Sequence, residues 1–255
     1  MNDAKSIRLE DKAMNTIVTG DSSSLRKAAR TAGWLYLSMA VFSAFSMLFV
    51  TPKVLVPGDA AATAANILAS ERLFRLGFAS NLAGQVIFLF LAYALYKLFR
   101  SVSRDQARLM VMLVVASVPV TFVSMLGQLA PVVLLKGGSV LSAFDPAQRQ
   151  ALAMTFFDLH EQGILLAGVF WGLWLLPLGI LAFKSGFIPR VFAILLWAGC
   201  FGYLLDSLAV FVFPEHRALV APVVTASELA SEIPFILWLL IRGVRDPRPA
   251  AAAGR

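Results

Sequence analysis

Six stretches of this chain are apolar for about the thickness of a bilayer, and that leaves few ways to fold. They run Ala32–Val50, Leu76–Phe99, Leu109–Leu135, Ile164–Phe183, Val191–Phe213 and Val223–Ile241. A helix needs about 20 such residues to cross the hydrocarbon core. In lipid, only helices and closed barrels pair all their backbone polar groups, and runs this long read as helices. The expected fold is all-α: a polytopic membrane bundle of six transmembrane helices. Composition agrees, with 59% hydrophobic and 15% charged residues, where a soluble domain has about 45–50% and about 25%. With 255 residues, a single bundle is expected, divided as a flexible cytoplasmic arm (1–29), the six-helix domain (30–243) and a flexible cytoplasmic tail (244–255). The arm does not have the order of a cleaved signal peptide, so the first apolar run is expected to stay as a helix.

Orientation follows from the Lys and Arg residues. The arm (Lys5, Arg8, Lys12, Arg26, Lys27, Arg30), the second loop (Lys97, Arg100, Arg104, Arg108), the fourth loop (Lys184, Arg190) and the tail (Arg242, Arg245, Arg248, Arg255) share one side. Only Lys53, Arg72, Arg75, Lys136, Arg149 and Arg217 fall on the other. Basic loops stay inside, so both termini are expected in the cytoplasm of a bacterial inner membrane. The net charge of +7 is spread between the apolar runs and lies beside no nucleic-acid motif, so no nucleic acid is expected as a partner. Cys200 is the only cysteine, which excludes an intrachain disulfide.

The outer loops carry helix-start signals. Asp59 is placed to cap a helix from Ala60 that runs on toward Leu76. Asp145, Pro146 and Gln148 spell a capping acid, a proline at the first helical position and a glutamine three residues past the cap. From Pro146 the helical pattern continues to Phe183, too long for one crossing. Trp34, Tyr36, Tyr96 and Trp238 read as interfacial residues near the cytoplasmic ends, and Trp171, Trp174 and Trp197 as packing. Gly168 and Gly172 have the spacing that lets helices approach closely.

The last run reads V-V-T-A-S-E-L-A-S-E-I-P-F-I-L-W-L-L-I. It places Glu228 and Glu232 where hydrocarbon is expected. A charge at that depth costs about 2.5–3.5 kcal/mol on insertion scales and marks a functional site by default. The two are four residues apart and share a helical face, with Ser227 and Ser231 beside them. Two carboxylates so close in low dielectric resist double ionisation, so a proton held by the pair is expected. The plainer alternative is an acid that only hydrogen-bonds between helices. Pro234 frees a backbone carbonyl in the turn before it.

Other polar residues gather in the outer half. Asp206 lies in the fifth span, His160 and Glu161 near the start of the fourth, Asn81 and Gln85 on one face of the second. The inner half is almost wholly apolar. Adjacent helical residues point about 100° apart, so His160 and Glu161 do not face one small site together. A zinc site of His160, Glu161 and Asp206 has no His-Glu-x-x-His or cysteine spacing behind it. No metal and no cofactor is expected. No phosphate-cradling loop, nucleophile elbow or haem motif is present.

Several short motifs occur together: Leu159-His160-Glu161 with Gly163, F-W-G-L-W-L-L-P-L-G over Phe170–Gly179, K-S-G-F-I-P-R over Lys184–Arg190, Gly202-Tyr203-Leu204, Leu95-Tyr96-Lys97-Leu98, and Leu237-Trp238-Leu239-Leu240 before Gly243-Val244. In combination they resemble a bacterial integral membrane family known as domain of unknown function 4386. The resemblance covers almost the whole chain after Ala29 and implies a membrane protein of about six helices, with no established activity. It also implies that Glu232, six positions before the last tryptophan, and the His160-Glu161 pair are family positions. Phe192-Ala193 follow Pro-Arg here, where the family tends to show Leu-Gly.

Three functions fit these residues. The first is an outward-facing polar pocket lined by Glu228, Glu232, Asp206, Glu161, His160, Asn81 and Gln85. It would bind or transport a proton-coupled small cation or polar molecule. The second is a structural or partner-binding membrane protein. The third is a membrane-embedded enzyme acting near the outer interface, with His160 or Glu161 as general base. The lipid bilayer is the one partner common to all three.

Overall fold

A computed structural model describes residues 3–244, with side chains described from residue 23 onward, Val140 excepted. Helix α1 (Asp3–Phe45) passes through a π-helical stretch (Ser46–Val50) into the short α2 (Thr51–Val54). Then come α3 (Ala60–Ala69), α4 (Glu71–Phe99), α5 (Arg104–Lys136), α6 (Pro146–Ser185), α7 (Arg190–Val212) and α8 (Arg217–Ile241). Short 3-10 turns at Ser139–Ala143 and Pro214–His216 lead into α6 and α8. No strand occurs among the described residues. Six helical segments are long and apolar enough to cross a membrane: Ser23–Val54, Glu71–Phe99, Arg104–Lys136, Pro146–Ser185, Arg190–Val212 and Pro214–Ile241.

The long helices alternate in direction and form a ring. α1 packs on α4, α4 on α5, α5 on α6, α6 on α7, α7 on α8, and α8 returns to α1. Short connections between antiparallel neighbours dictate this order. One end of the ring carries α3 and the two 3-10 turns and is called the cap end. The other carries Arg100, Arg104, Lys184, Arg190 and Arg242 and is called the basic end.

Two separate apolar cores hold the ring. The larger fills the basic half, with Tyr36, Leu91, Leu95, Phe99, Met110, Trp174, Leu178, Leu196, Phe235 and Leu239 at its centre. The smaller closes the cap end with Val50, Val54, Ile67, Phe74 and Val132.

Local chemistry explains the helix limits. Asp145 accepts from Gln148 N at 2.8 Å while Gln148 Oε1 accepts from Asp145 N at 3.0 Å, the reciprocal cap that the sequence signals. α6 then runs unbroken to Ser185, longer than one crossing. It ends at Gly186, whose φ of 70° suits glycine. The π-helical turn precedes Pro52, which offers no N–H to residue 48 and forces a wider turn.

Three features differ from the sequence reading. The helix capped by Asp59 does not run on toward Leu76. It stops at Ala69, and α4 begins anew at Glu71, because α3 turns to lie on α5 and α6. α1 is already helical through residues 3–29, and its packed face begins at Leu25, Ala28 and Ala29. As a result Tyr36 is not an interfacial residue: it is wholly buried, because the apolar helix starts near Ser23 and carries it about 20 Å inward. The tail expected over 244–255 lies outside the described residues after Val244.

Candidate functional site

Glu232 of α8 lies between that helix's two ring neighbours, α1 and α7. Its residue is part-buried, and its two carboxylate oxygens face different helices. Tyr36 of α1 donates to Glu232 Oε2 at 2.7 Å. Tyr203 of α7 donates to Oε1 at 3.0 Å. Each carboxylate oxygen thus accepts a hydroxyl, and three helices are joined at one point about 14 Å from the basic end of α8. Hydrogen bonds to a carboxylate are stronger than neutral ones, and a low-dielectric setting strengthens them further.

Packing puts the three groups in reach. α7 and α8 approach closely because glycines face serines: Gly199 lies against Ser231, and Gly202 against Ser227. Those serines turn inward on their own helix, Ser231 Oγ donating to Glu228 O at 2.7 Å and Ser227 Oγ to Val224 O at 2.7 Å. Gly172 of α6 backs Tyr203, where an added Cβ would sit 2.7 Å from Tyr203 Cβ. Tyr36 is held by rings: its centroid is 5.9 Å from Trp174 and 6.5 Å, edge-on, from Phe235. Phe88 of α4 meets Trp174 edge-on at 5.0 Å. This aromatic layer is the part of the larger core that lies against the site.

Two more carboxylates stand on the cap side of Glu232. Glu228 is within electrostatic reach of both Asp206 and Glu232, and Tyr203 feels Glu228 as well as Glu232. Among the described residues, neither Asp206 nor Glu228 has a salt bridge or a side-chain hydrogen bond. Asp206, Glu228 and Glu232 therefore form one acidic group shared by α7 and α8.

The remaining residues singled out in the sequence take other places. His160 faces α5, with Nδ1 2.9 Å from Ser124 O. Gly127 admits it there, its Cα lying beside His160 Cβ and Phe156 O. Glu161 is exposed near the cap end, within reach of Asp158 and Arg217. Asn81 bonds Ser46 Oγ through Nδ2 at 3.1 Å, at the start of the π-helical turn. Gln85 points inward from α4, and its Oε1 is enclosed with no hydrogen-bond partner.

Tyr36 and Tyr203 are the functional residues the sequence reading passed over. One signal pointed to Tyr36: Ala29, Ala32 and Gly33 lie on its face, and small residues at that spacing mark close packing. Gly33 does meet α8, at Leu240. Tyr203 stood in the Gly202-Tyr203-Leu204 motif of the family resemblance, which gave it no role.

The chain matches a family model, Domain of unknown function (DUF4386), over residues 31–243. That is most of its length, and the chain belongs to this family. No curated protein matches it, and no solved structure does.

Proposed function

We propose that this member of the family binds, and exchanges across the membrane together with protons, a small cationic or polar solute at Glu232. The observation that carries the reading is an acidic triad at membrane depth with no basic partner among the described residues. Intramembrane acids that serve only structure pair with a base or with another helix. Glu232 does so through its tyrosines, whereas Asp206 and Glu228 do not. Glu232 is the group whose protonation couples most directly to helix contacts, because a proton on it competes with one tyrosine for an oxygen.

The topology we propose has both termini in the cytoplasm of a bacterial inner membrane, on the strength of the basic end. His160 and Glu161 belong to other surroundings and are left out of the site. This weakens the case for an enzyme with His160 as base, since its Nδ1 is engaged with Ser124 O.

A second reading is favoured by the same two tyrosines: Glu232 as a structural lock between α1, α7 and α8. Flux separates the two. In reconstituted vesicles under a pH gradient, proton leak through wild-type protein should fall at least tenfold in Glu232→Gln. Wild-type flux from a folded Glu232→Gln protein, with only its melting temperature lowered, would establish the lock and end the transport reading.

A further inference from the structure

One helical turn toward the cap end from the aromatic layer, four polar side chains repeat its pattern. Gln85 is three residues from Phe88 on α4, and Trp171 three from Trp174 on α6. Asp206 is three from Tyr203 on α7, and Glu228 four from Glu232 on α8. Such spacings keep a helical face, so the four stand above the layer already described, about 5 Å along the axes. Phe88, Trp174 and Tyr36 are in ring contact, and Glu232 is bonded to Tyr36 and Tyr203. Their neighbours one turn on therefore face the same interior.

All four have unused hydrogen-bonding capacity. Gln85 Oε1 and Trp171 Nε1 are enclosed and have no partner. The carboxylates of Asp206 and Glu228 have none among the described residues. Enclosed polar atoms without partners are rare and each requires a reason. The set comprises three acceptor groups, two of them acidic, beside an indole. Acidic acceptors beside an aromatic face suit an organic ammonium, which donates several N–H bonds and favours the face of tryptophan. A metal ion is less suited, because the nearest imidazole, His160, is turned to α5.

The walls of the ring suggest the rest of the ligand. α1 and α8 meet toward the basic end, where Gly33 lies against Leu240, Gly243 against Arg26 and Ala29, and Tyr36 against Phe235 and Glu232. Past Tyr36, α1 turns to α4: Gly84 lies against Met39 and Ser43, Ser80 Oγ donates to Phe42 O at 2.7 Å, and Gly77 meets Val50. The same stretch of α8 packs on α7 through Ser227 and Ser231. Toward the cap end from Tyr36, α1 and α8 each present an exposed apolar side chain beside this seam, Val41 at 57% and Leu229 at 55%.

We infer that this layer holds the ammonium group of a lipid-soluble amine, which enters sideways from the hydrocarbon between α1 and α8. The inference rests on the reading of Glu232 above and narrows its ligand to one class. Charge complementarity selects the headgroup, and the apolar seam selects the chain.

The test is binding of radiolabelled dodecylamine to full-length protein in lipid nanodiscs, with empty nanodiscs as background. Saturable binding is expected. Affinity should drop at least tenfold in Asp206→Asn/Glu228→Gln and severalfold in Gln85→Leu. Trp171→Leu removes the aromatic face while leaving the carboxylates in place and should also weaken binding; it carries the test if the double variant does not fold. Dodecanoate and methylammonium should compete at least tenfold more weakly than unlabelled dodecylamine. Equal competition by either, wild-type affinity in folded variants, or no saturable binding overturns the inference. If proton flux still depends on Glu232 while dodecylamine does not bind, this inference falls alone. If dodecylamine binds in a Glu228-dependent way without flux, the layer stands and transport falls.

Discussion

Glu232 and its two tyrosines set the largest single-residue effects to be expected in this protein. Glu232→Leu removes both acceptors and leaves two enclosed hydroxyls unpaired, at about 1–3 kcal/mol each. Thermal unfolding in detergent should show a far larger loss for Glu232→Leu than for Glu232→Gln, whose amide oxygen still accepts one hydroxyl. Tyr36→Phe keeps the ring contacts with Trp174 and Phe235 and removes one bond, so a loss of about 1–2 kcal/mol is expected. A loss as large as that of Glu232→Leu would mean that Tyr36 holds the fold in some other way. The glutamates were legible at this scale, because a carboxylate inside an apolar run is conspicuous in any sequence. Their tyrosines were not: Tyr36 also suited the membrane interface, and Tyr203, midway along α7, was visible only as part of a family motif.

Pairs of helices are held by small residues, and the cost of enlarging them depends on what stands opposite. Gly172→Ala would bring a Cβ to 2.7 Å from Tyr203 Cβ and 3.1 Å from Cys200 O, neither of which is a flexible tip. Overpacking of that kind costs about 1–3 kcal/mol, and here it also pushes Tyr203 away from Glu232. Gly168→Ala meets nothing closer than Ser207 Oγ at 3.9 Å. A comparison of the two by thermal unfolding should place the loss almost entirely on Gly172. Equal losses would show that helix propensity, and not contact with α7, governs both positions. At the start of α6, Asp145→Ala removes the reciprocal cap and should cost about 1 kcal/mol. Hydrogen exchange should then rise in the first turns of α6 and not beyond the middle of the helix. The capping signal was fully readable, since a cap is made within four residues. The break at Ser70 was not, because it arises from α3 lying across α5 and α6.

At the scale of the whole molecule, six crossings predict that both chain termini lie on one face of the membrane. In a Cys200→Ser background, single cysteines at Arg100 and Arg190 should react with an impermeant maleimide from the same side. Cysteines at Ala61 and Ser142 should react from the other. Labelling of Arg190 and Ser142 positions from one side would disprove the six-span arrangement. The two apolar cores also predict an order of loosening. The smaller core at the cap end, with five buried residues, should exchange amide hydrogens before the larger one in the basic half, since stability follows local burial.

Sequence alone determined that the chain is helical, where its six long helices lie, and that acids sit inside the last of them. These are properties of composition and spacing along one segment, and a bilayer-length apolar run has few alternatives to a helix. Tertiary structure decided which of those polar residues share a space. Tyr36 and Glu232 are 196 residues apart in the chain, and His160 reaches Ser124 across 36. Rotation of a helix about its axis by a fraction of a turn exchanges a ring-facing side chain for a lipid-facing one. That rotation is set by glycine contacts with neighbouring helices, which no single helix encodes.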